Sequence, residues 1–303
     1  MKKILLIGIG EETSLKQQII PTLSKANIPY IYAKWSELSF FKKDVYVGKN
    51  KLDLKKINSV IFDIFRFPII KKTSGVETPF NLENEYSVLL DILKDKNIYT
   101  PNSKFFQQYP FYNKFSQMHI FASRKIPAIP TIHFCDNKKE RVFYFLKNHG
   151  FHFPLVAKES YGGGGSSVWK LKNEKELAAF IENRRNTNTI FQPYVKNEAD
   201  YRAIVIGGKC LGIMKRSAQN GQWKNNYSLG GHVEKYSNSK MSRFAVGVCK
   251  KMGLELAGLD ILSTSNGFLI IEVNLFFGLD GFQSVYPKIN VAEKIIQLIS
   301  SNI

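Results

Sequence analysis

Two acids stand inside apolar sequence near the C-terminus: Asp260 in Leu259-Asp260-Ile261-Leu262, and Glu272 in Ile270-Ile271-Glu272-Val273-Asn274. Side chains alternate between the faces of a strand, so Glu272 and Asn274 share one face while Ile271 and Val273 take the other. Asp260 ends the preceding apolar segment, and Ser265-Asn266-Gly267 supplies the turn of a hairpin that joins the two. Across that hairpin the three side chains can converge. Two carboxylates and an amide are hard oxygen donors, suited to Mg²⁺ with phosphate oxygens filling the rest of its shell. Two solvent-facing acids on an ordinary hairpin are the alternative, but this chain is poor in acids, with 25 Asp+Glu against 43 Lys+Arg.

Cations lie upstream. Lys158 ends the apolar segment Phe153–Lys158, just before Gly162-Gly163-Gly164-Gly165. The segment Val168–Leu171 resumes as a strand, so the glycines form a flap between two strands. They do not form the strand–loop–helix of a Walker loop, and no Gly-Lys-Ser/Thr is present. Lys114 lies in a helical segment among aromatic residues, and Arg202 and Arg216 sit on the arms of a hairpin turned at Gly207-Gly208. Each cation alone reads as a surface side chain whose stem covers apolar area. Together with the flap and the oxygen triad they make a phosphate-handling set: point charges, a backbone cover and a bridging metal.

The elements that must position these residues are legible from periodicity. Strands are predicted at Ile4–Ile7, Pro29–Ala33 and Ser59–Phe65, with helices over Leu15–Ala26 and Glu83–Leu93. Their alternation implies an α/β unit with a parallel sheet over residues 1–99. Tyr99-Thr100-Pro101-Asn102 breaks the pattern. Helices follow over Tyr112–Ser123, Glu140–Asn148 and Glu174–Asn183, with strands over Phe153–Lys158, Val168–Leu171 and Ile190–Val195, which suggests a second unit over 100–192. A strand-rich third unit over 193–303 holds Tyr201–Ile206, Cys210–Arg216, Glu255–Leu262 and Phe268–Asn274, with helices Ser239–Met252 and Val291–Ser300. The turn Gly8-Ile9-Gly10 lacks the third glycine of a dinucleotide fingerprint, so a nicotinamide site is not expected.

In this order the motifs resemble the ATP-grasp superfamily, and within it the RimK-like carboxylate–amine ligases. The chain offers Lys114, Lys158 with Gly162–Gly165, Gln192-Pro193-Tyr194-Val195, Asp200-Tyr201-Arg202, Arg216, Lys224-Asn225-Asn226, Asp260, Glu272-Val273-Asn274 and Gly278-Leu279-Asp280-Gly281. The likeness covers about residues 100–300; the first hundred match in outline. It implies an α/β ATP-grasp fold in which an N-terminal parallel-sheet domain precedes two α+β subdomains that clamp the nucleotide. Lys114 and Lys158 match lysines on the ATP phosphates, and Gln192-Pro193-Tyr194-Val195 matches the adenine hinge. Asp200 matches an acid near the ribose. Lys224-Asn225-Asn226 matches a segment whose last Asn approaches the phosphates and metal. Arg216 matches an arginine that steadies an acyl phosphate, with Arg202 beside it. Asp260, Glu272 and Asn274 match the ligands of two Mg²⁺ ions, with Mn²⁺ as an alternative.

The implied reaction has two steps. A carboxylate takes the γ-phosphoryl group of ATP to give an acyl phosphate, and an amine displaces phosphate to form an amide. Positioning and charge neutralisation suffice, and no covalent nucleophile is needed. The family's acidic hinge residue is Pro193 here, which has no N–H. Its usual Ala-Ser-Pro after the last metal ligand is Leu275-Phe276-Phe277, a bulkier and more apolar stretch that bears on substrate class. Gly278 falls on the substrate side. Arg66, at the end of the apolar strand Ser59–Phe65, is assigned a substrate carboxylate, because a guanidinium fork binds one bidentately. An amino acid or an acidic peptide is the expected substrate.

The net charge of +18 points to anionic partners without choosing among them. The lysines are dispersed and no RNA-binding signature is present, so a nucleic-acid or polyanion binder on a vestigial fold ranks second, beside a kinase that keeps the nucleotide site. No apolar run reaches membrane-spanning length, and Met1-Lys2-Lys3 with Ile4–Ile7 is too short for a leader. Cys135, Cys210 and Cys249 form no disulfide pattern, so a reducing cytoplasm is expected. A homo-oligomer is compatible with these features.

Overall fold

The computed structural model describes residues 2–10, 13–63, 69–73, 76–80, 83–136, 138–160, 167–184, 188–218 and 230–302. The chain begins with strand β1 (Lys3–Gly8), helix α1 (Ser14–Lys25) and strand β2 (Tyr30–Lys34). A short antiparallel meander, β3 (Leu38–Phe41), β4 (Asp44–Val47) and β5 (Asn50–Lys51), leads to β6 (Ile57–Asp63). The order β2-β1-β6 is parallel throughout. Central β1 is buried on both faces, which explains the unbroken apolar run Ile4–Ile7. The hairpin β7 (Ile69–Thr73) and β8 (Val76–Phe80) precedes helix α2 (Glu83–Asp95).

Helices α3 (Ser103–Gln108) and α4 (Lys114–Ser123) lead to a second sheet. It is built from β9 (Ile132–His133), β10 (Leu155–Glu159), β11 (Val168–Leu171) and β12 (Thr189–Pro193), with α5 (Lys139–Asn148) and α6 (Glu174–Asn183) between them. Its order is β11-β10-β12-β9, antiparallel, over a core of its own that includes Leu146, Leu177, Phe180 and Phe191. The third sheet has the order β15-β14-β13-β16-β17: β13 (Ala199–Ile206), β14 (Lys209–Ser217), β15 (His232–Tyr236), β16 (Leu256–Thr264) and β17 (Gly267–Asn274). Helix α7 (Ser239–Met252) precedes β16, and α8 (Asp280–Val285) and α9 (Val291–Ser300) close the chain.

The two faces of the third sheet differ. One buries Ala203, Val205, Ile213, Leu259 and Val273 in a core that includes Met241, Ala245 and Cys249 of α7. The other buries Ile204, Ile206 and Met214 with Ile295 and Ile299 of α9 and Ile4, Leu6 and Ile19 of the N-terminal unit. Along β13 this second face reads Asp200, Arg202, Ile204, Ile206, so it is charged at one end and apolar at the other. The apolar half anchors the N-terminal unit, and the charged half is buried with its charges paired. No helix among the described residues is long and apolar enough to cross a membrane.

The expected α/β architecture is observed, with several departures. The strand expected over Ser59–Phe65 is Ile57–Asp63; residues 64–68 are outside the described set. The strand expected to reach Val195 ends at Pro193: the Tyr194 N–H still donates in register to the Pro154 carbonyl at 3.0 Å, but Pro154 has no N–H to return the bond. The meander β3–β5, helices α3 and α8, and strand β15 lacked a long enough periodic run to be predicted. Asp260 lies inside its strand, expected over Glu255–Leu262 and observed over Leu256–Thr264. Ile271 does not face away from Glu272. The register slips between Asp260 and Ile261, pairing them with Glu272 and Ile270, so Ile271 is bulged and lines the same cleft as Lys158.

Candidate active site

Cross-strand register builds the site. Arg202, Asp260 and Glu272 are successive Cα partners across β13, β16 and β17, and Asp200 faces Arg216 across β13 and β14. The guanidinium of Arg202 grips Asp260 bidentately, Nε to Oδ1 at 2.6 Å and Nη2 to Oδ2 at 2.8 Å. Arg216 bridges two acids, with Nε 2.5 Å from Asp200 Oδ1 and Nη2 3.1 Å from Asp260 Oδ2. Arg216, Asp200 and Asp260 are all buried. Buried charges survive only when paired, and here each acid meets a guanidinium. Burial would raise the Asp260 carboxyl, but Arg202 and Arg216 outweigh it and hold the group down at about 2. Asp200 moves the other way: burial and the nearby Asp260 charge raise it against the pull of Arg216. Burial also opposes the charge of Arg216, yet Asp200 and Asp260 raise its pKa.

Two lysines approach this face from other elements. Lys114 opens α4, whose N-terminus is capped by Asn113 Oδ1 accepting from the N–H groups of Phe115 and Ser116 at 2.9 and 3.0 Å. Helix α4 is pinned to β17 on both sides of the strand peptide: Gln117 Oε1 accepts from Val273 N–H at 2.9 Å. Tyr112 donates its hydroxyl to the Val273 carbonyl at 2.9 Å. These contacts set Lys114 Nζ 3.6 Å from Glu272 Oε1. Lys158 comes from β10 of the second sheet. Crowding by protein lowers its pKa to about 8; Lys114 pushes the same way, and Glu272, Asp260 and Asp200 oppose. Lys114, Lys158, Gln117, Thr131, Gln192 and Ile271 line one narrow cleft between the second and third sheets.

The structure therefore gathers Lys114, Lys158, Gln192, Arg202, Arg216, Asp200, Asp260 and Glu272, with Asn274 two residues further along β17. Gln192 is buried and donates to Thr131 Oγ1 at 2.8 Å, so its amide holds the cleft wall. Asp200, expected beside a ribose, lies under Arg216, because register makes the two direct neighbours. Pro193, Tyr194 and Val195 leave the end of β12, and Lys170 Nζ sits 3.5 Å from the Tyr194 ring centre. Gly278 lines a separate pocket beneath the N-terminal sheet. Arg66, Gly162, Gly163, Gly164, Gly165, Lys224, Asn225 and Asn226 lie outside the described residues. Sequence reasoning missed Tyr112 and Gln117, which stand in a mixed segment with Asn113, Ser116 and His119 and carry no signal of their own.

Residues 112–299 match the RimK-like ATP-grasp domain. The chain belongs to the RimK-like ATP-grasp family. Over 185 residues it is 35% identical to a probable alpha-L-glutamate ligase 2 of Pseudoalteromonas atlantica, covering 59% of this chain and 60% of that one. The chain thus spans well under two thirds of that curated relative. The fold matches the RimK domain ATP-grasp protein of Sphaerobacter thermophilus with a TM-score of 0.70 at 13% identity, over 98% of each chain. It also matches the ATP-grasp ligase PsnB, solved with a phosphomimetic variant of its minimal precursor, Mg and ADP. There the TM-score is 0.72 at 15% identity, over 98% of this chain and 99% of that one. At these identities the structural likeness establishes the ATP-grasp fold.

Within an ATP-grasp frame the donors can be tested for a divalent cation. Among the described residues no three acidic, imidazole or thiol groups are placed to share one cation. Glu272 is partly exposed and lies beside Lys114, which lines the cleft. Asp260 is committed to two guanidinium groups, which leaves acceptor capacity chiefly on Oδ1. Asn274 buries its amide nitrogen with no hydrogen-bond partner. A buried amide left unmatched costs stability, and a phosphate oxygen on that nitrogen, or a cation on the flipped amide oxygen, would satisfy it. Glu272, Asn274 and one lone pair of Asp260 fit a hard cation shared with phosphate.

Proposed function

We propose that the protein is an ATP-dependent carboxylate–amine ligase acting on an amino acid or an acidic peptide. The observation that carries this reading is the convergence of Lys114 and Lys158 on Glu272, beside an Asn274 amide buried without a partner. The four cations Lys114, Lys158, Arg202 and Arg216 face the three carboxylates Asp200, Asp260 and Glu272. One surplus positive charge does not answer a triphosphate, so added cations belong to the working site. Glu272, Asn274 and Asp260 would hold two Mg²⁺ ions, replaceable by Mn²⁺; when bound, the metal neutralises charge on the transferred phosphoryl group.

A substrate carboxylate oxygen attacks the γ-phosphorus and the bond to the bridging oxygen breaks, giving an acyl phosphate and ADP. The amine nitrogen then attacks the acyl carbon, the C–O bond to phosphate breaks, and the nitrogen loses a proton as the amide forms. Lys114 and Lys158 hold the phosphates by charge. Arg216, fixed by Asp200, faces the acyl phosphate with Arg202. Gln192, Pro193, Tyr194 and Val195 hold the base; Tyr194 N–H is engaged by Pro154, so the Val195 N–H is the assigned donor. Gly162–Gly165 cover the phosphates, Lys224, Asn225 and Asn226 reach them, and Arg66 and Gly278 serve the organic substrates. A three-part division at residues 99 and 192 and a cytoplasmic location belong to the same proposal.

The test is ADP release by purified protein with Mg·ATP against single amino acids and acidic peptides, with hydroxylamine present to trap acyl phosphate as a hydroxamate. Acid-dependent hydroxamate is the expected result. ADP release independent of any acid, or a phosphorylated product stable to hydroxylamine, would overturn the ligase reading in favour of a kinase or hydrolase.

A further inference from the structure

Strand β17 is the outer strand of the third sheet, so among the described strands its outward N–H and C=O groups have no ladder partner. At Ile270 backbone supplies one: the Ile270 N–H donates to the Pro127 carbonyl at 2.9 Å, and the Ile270 carbonyl accepts from the Ile129 N–H at 3.2 Å. At Val273 two side chains take that place. Tyr112 donates its hydroxyl to the Val273 carbonyl, and Gln117 Oε1 accepts from the Val273 N–H, each at 2.9 Å. Val273 is fully buried, so water offers neither backbone group an alternative.

The N–H of Val273 belongs to the peptide that follows Glu272, and its carbonyl to the peptide that precedes Asn274. Peptide groups are planar, so holding both atoms fixes the two planes from which Glu272 and Asn274 project. The ladder holds this stretch only briefly: the bulge at Ile271 interrupts the register on one side, and β17 ends at Asn274 on the other. Tyr112 does not line the cleft between the sheets, so its hydroxyl reaches the site only through the Val273 carbonyl. Burial, with the Glu272 charge adding to it, pushes the Tyr112 phenol well above its ordinary range, so the proton it donates stays in place. Tyr112 and Gln117 also straddle Lys114, whose N–H donates to the Ser160 carbonyl at 3.1 Å, two residues beyond Lys158. One short segment thus sets Lys114 against Glu272 and ties β17 to the strand that carries Lys158.

We propose that Tyr112 and Gln117 are positioning residues for the divalent cation of the nucleotide site: acting through the Val273 backbone, they hold Glu272 and Asn274 in the orientation that receives a metal together with phosphate. The assignment rests on the ligase reading and deepens it, because it places part of the metal affinity in two side chains that are not metal ligands. A strap that only joined helix to sheet would stabilise the fold and affect every ligand alike.

Nucleotide binding with and without metal separates the two cases. Isothermal titration of the whole protein with ADP, once in EDTA and once in saturating Mn²⁺, gives the affinity that the metal adds. In the unaltered protein that gain should be at least tenfold. Tyr112→Phe removes a single oxygen, and Gln117→Met removes the acceptor at similar length. Each should cut the gain at least fivefold while changing ADP affinity in EDTA less than twofold. Melting curves check that the variants are folded, and Tyr112→Phe carries the test if Gln117→Met is not. An undiminished gain in Tyr112→Phe, or equal losses with and without Mn²⁺, overturns the positioning role. Acid-dependent hydroxamate from the unaltered protein alongside such a result leaves the ligase reading standing. No gain from Mn²⁺ in the unaltered protein overturns the metal site and the positioning role together.

Discussion

Lys158 should destabilise the folded protein at neutral pH, and its replacement should reveal by how much. Its pKa falls from 10.5 to about 8 because the ammonium is crowded by protein, with Lys114 adding to the fall. A shift of that size corresponds to about 3 kcal/mol at 1.36 kcal/mol per decade. The folded pKa lies below the unfolded one, so between pH 8 and 10.5 the unfolded chain holds a proton that the native state has released. Stability from this group therefore rises as pH climbs through that window, and the full penalty is present below it. Lys158→Met keeps the length and apolar stem while removing the charge. At pH 7 the variant should be more stable by up to about 3 kcal/mol in urea unfolding, and the gap should close near pH 10.5. A variant less stable at pH 7, or a gap that does not change with pH, refutes the reasoning.

The same lysine gives a second readout. A polyphosphate placed beside it favours the charged form and lifts its pKa. At pH 8 about half of the molecules lack the proton, so ADP binding should take up about half a proton from solution. Titration calorimetry in two buffers of different ionisation enthalpy measures this uptake directly. In Lys158→Met the uptake should vanish and ADP affinity should drop at least tenfold. Uptake that persists in the variant would assign the proton to another group and remove Lys158 from the phosphate site.

Glu272→Gln should keep its melting temperature within a few degrees and lose at least a hundredfold in acid-dependent ADP release; wild-type turnover would remove Glu272 from the metal site. Arg216→Met should cost about 3–5 kcal/mol, because it leaves Asp200 buried with its partner gone, and Asp200→Asn added to it should recover part of that loss. Additive losses in the double variant would show that the two residues do not act as a pair. Asn102→Ala should cost about 3 kcal/mol in chemical unfolding. Its side chain accepts from Glu255 and Leu256 N–H at 2.8 and 3.2 Å and donates to the Leu256 carbonyl at 2.7 Å. A neutral result would mean that the junction after residue 99 is held by its other contacts, the Asn102 N–H and the Tyr99 hydroxyl donating to the Glu255 carboxylate among them.

Much of this arrangement was legible because the signals were local. The apolar run Ile4–Ile7, the Gly207-Gly208 turn and the alternation Glu272-Val273-Asn274 each report their own backbone conformation. The motif order from Lys114 to Asn274 carried the family. What the sequence could not show depends on register. The one-residue bulge at Ile271 has no composition signal, yet it sends Ile271 into the cleft. The salt-bridge partners of Asp260 follow from strand order, since Arg202 is 58 residues away in the chain but its direct neighbour across the ladder. Tyr112 and Gln117 act on a strand more than 150 residues downstream. The meander β3–β5 consists of strands too short to establish a period.

One sheet face explains why the charges sit where they do. On β13 the alternating positions change from Asp200 and Arg202 to Ile204 and Ile206 without a break in the strand. The apolar half is sealed by α9 and the N-terminal sheet, so it fixes the distance between that sheet and the charged half. The charged half is held by guanidinium–carboxylate pairs whose geometry is set by the ladder, and it needs no flexible loop to place Arg202, Arg216 or Asp260. Asn274 and Gly258 stand at the border between the halves. Leu275, Phe276 and Phe277 follow Asn274 directly, so this bulky apolar tripeptide, which packs on Gly258 and the N-terminal aromatic cluster, is tied by the backbone to a residue proposed for the metal and phosphate.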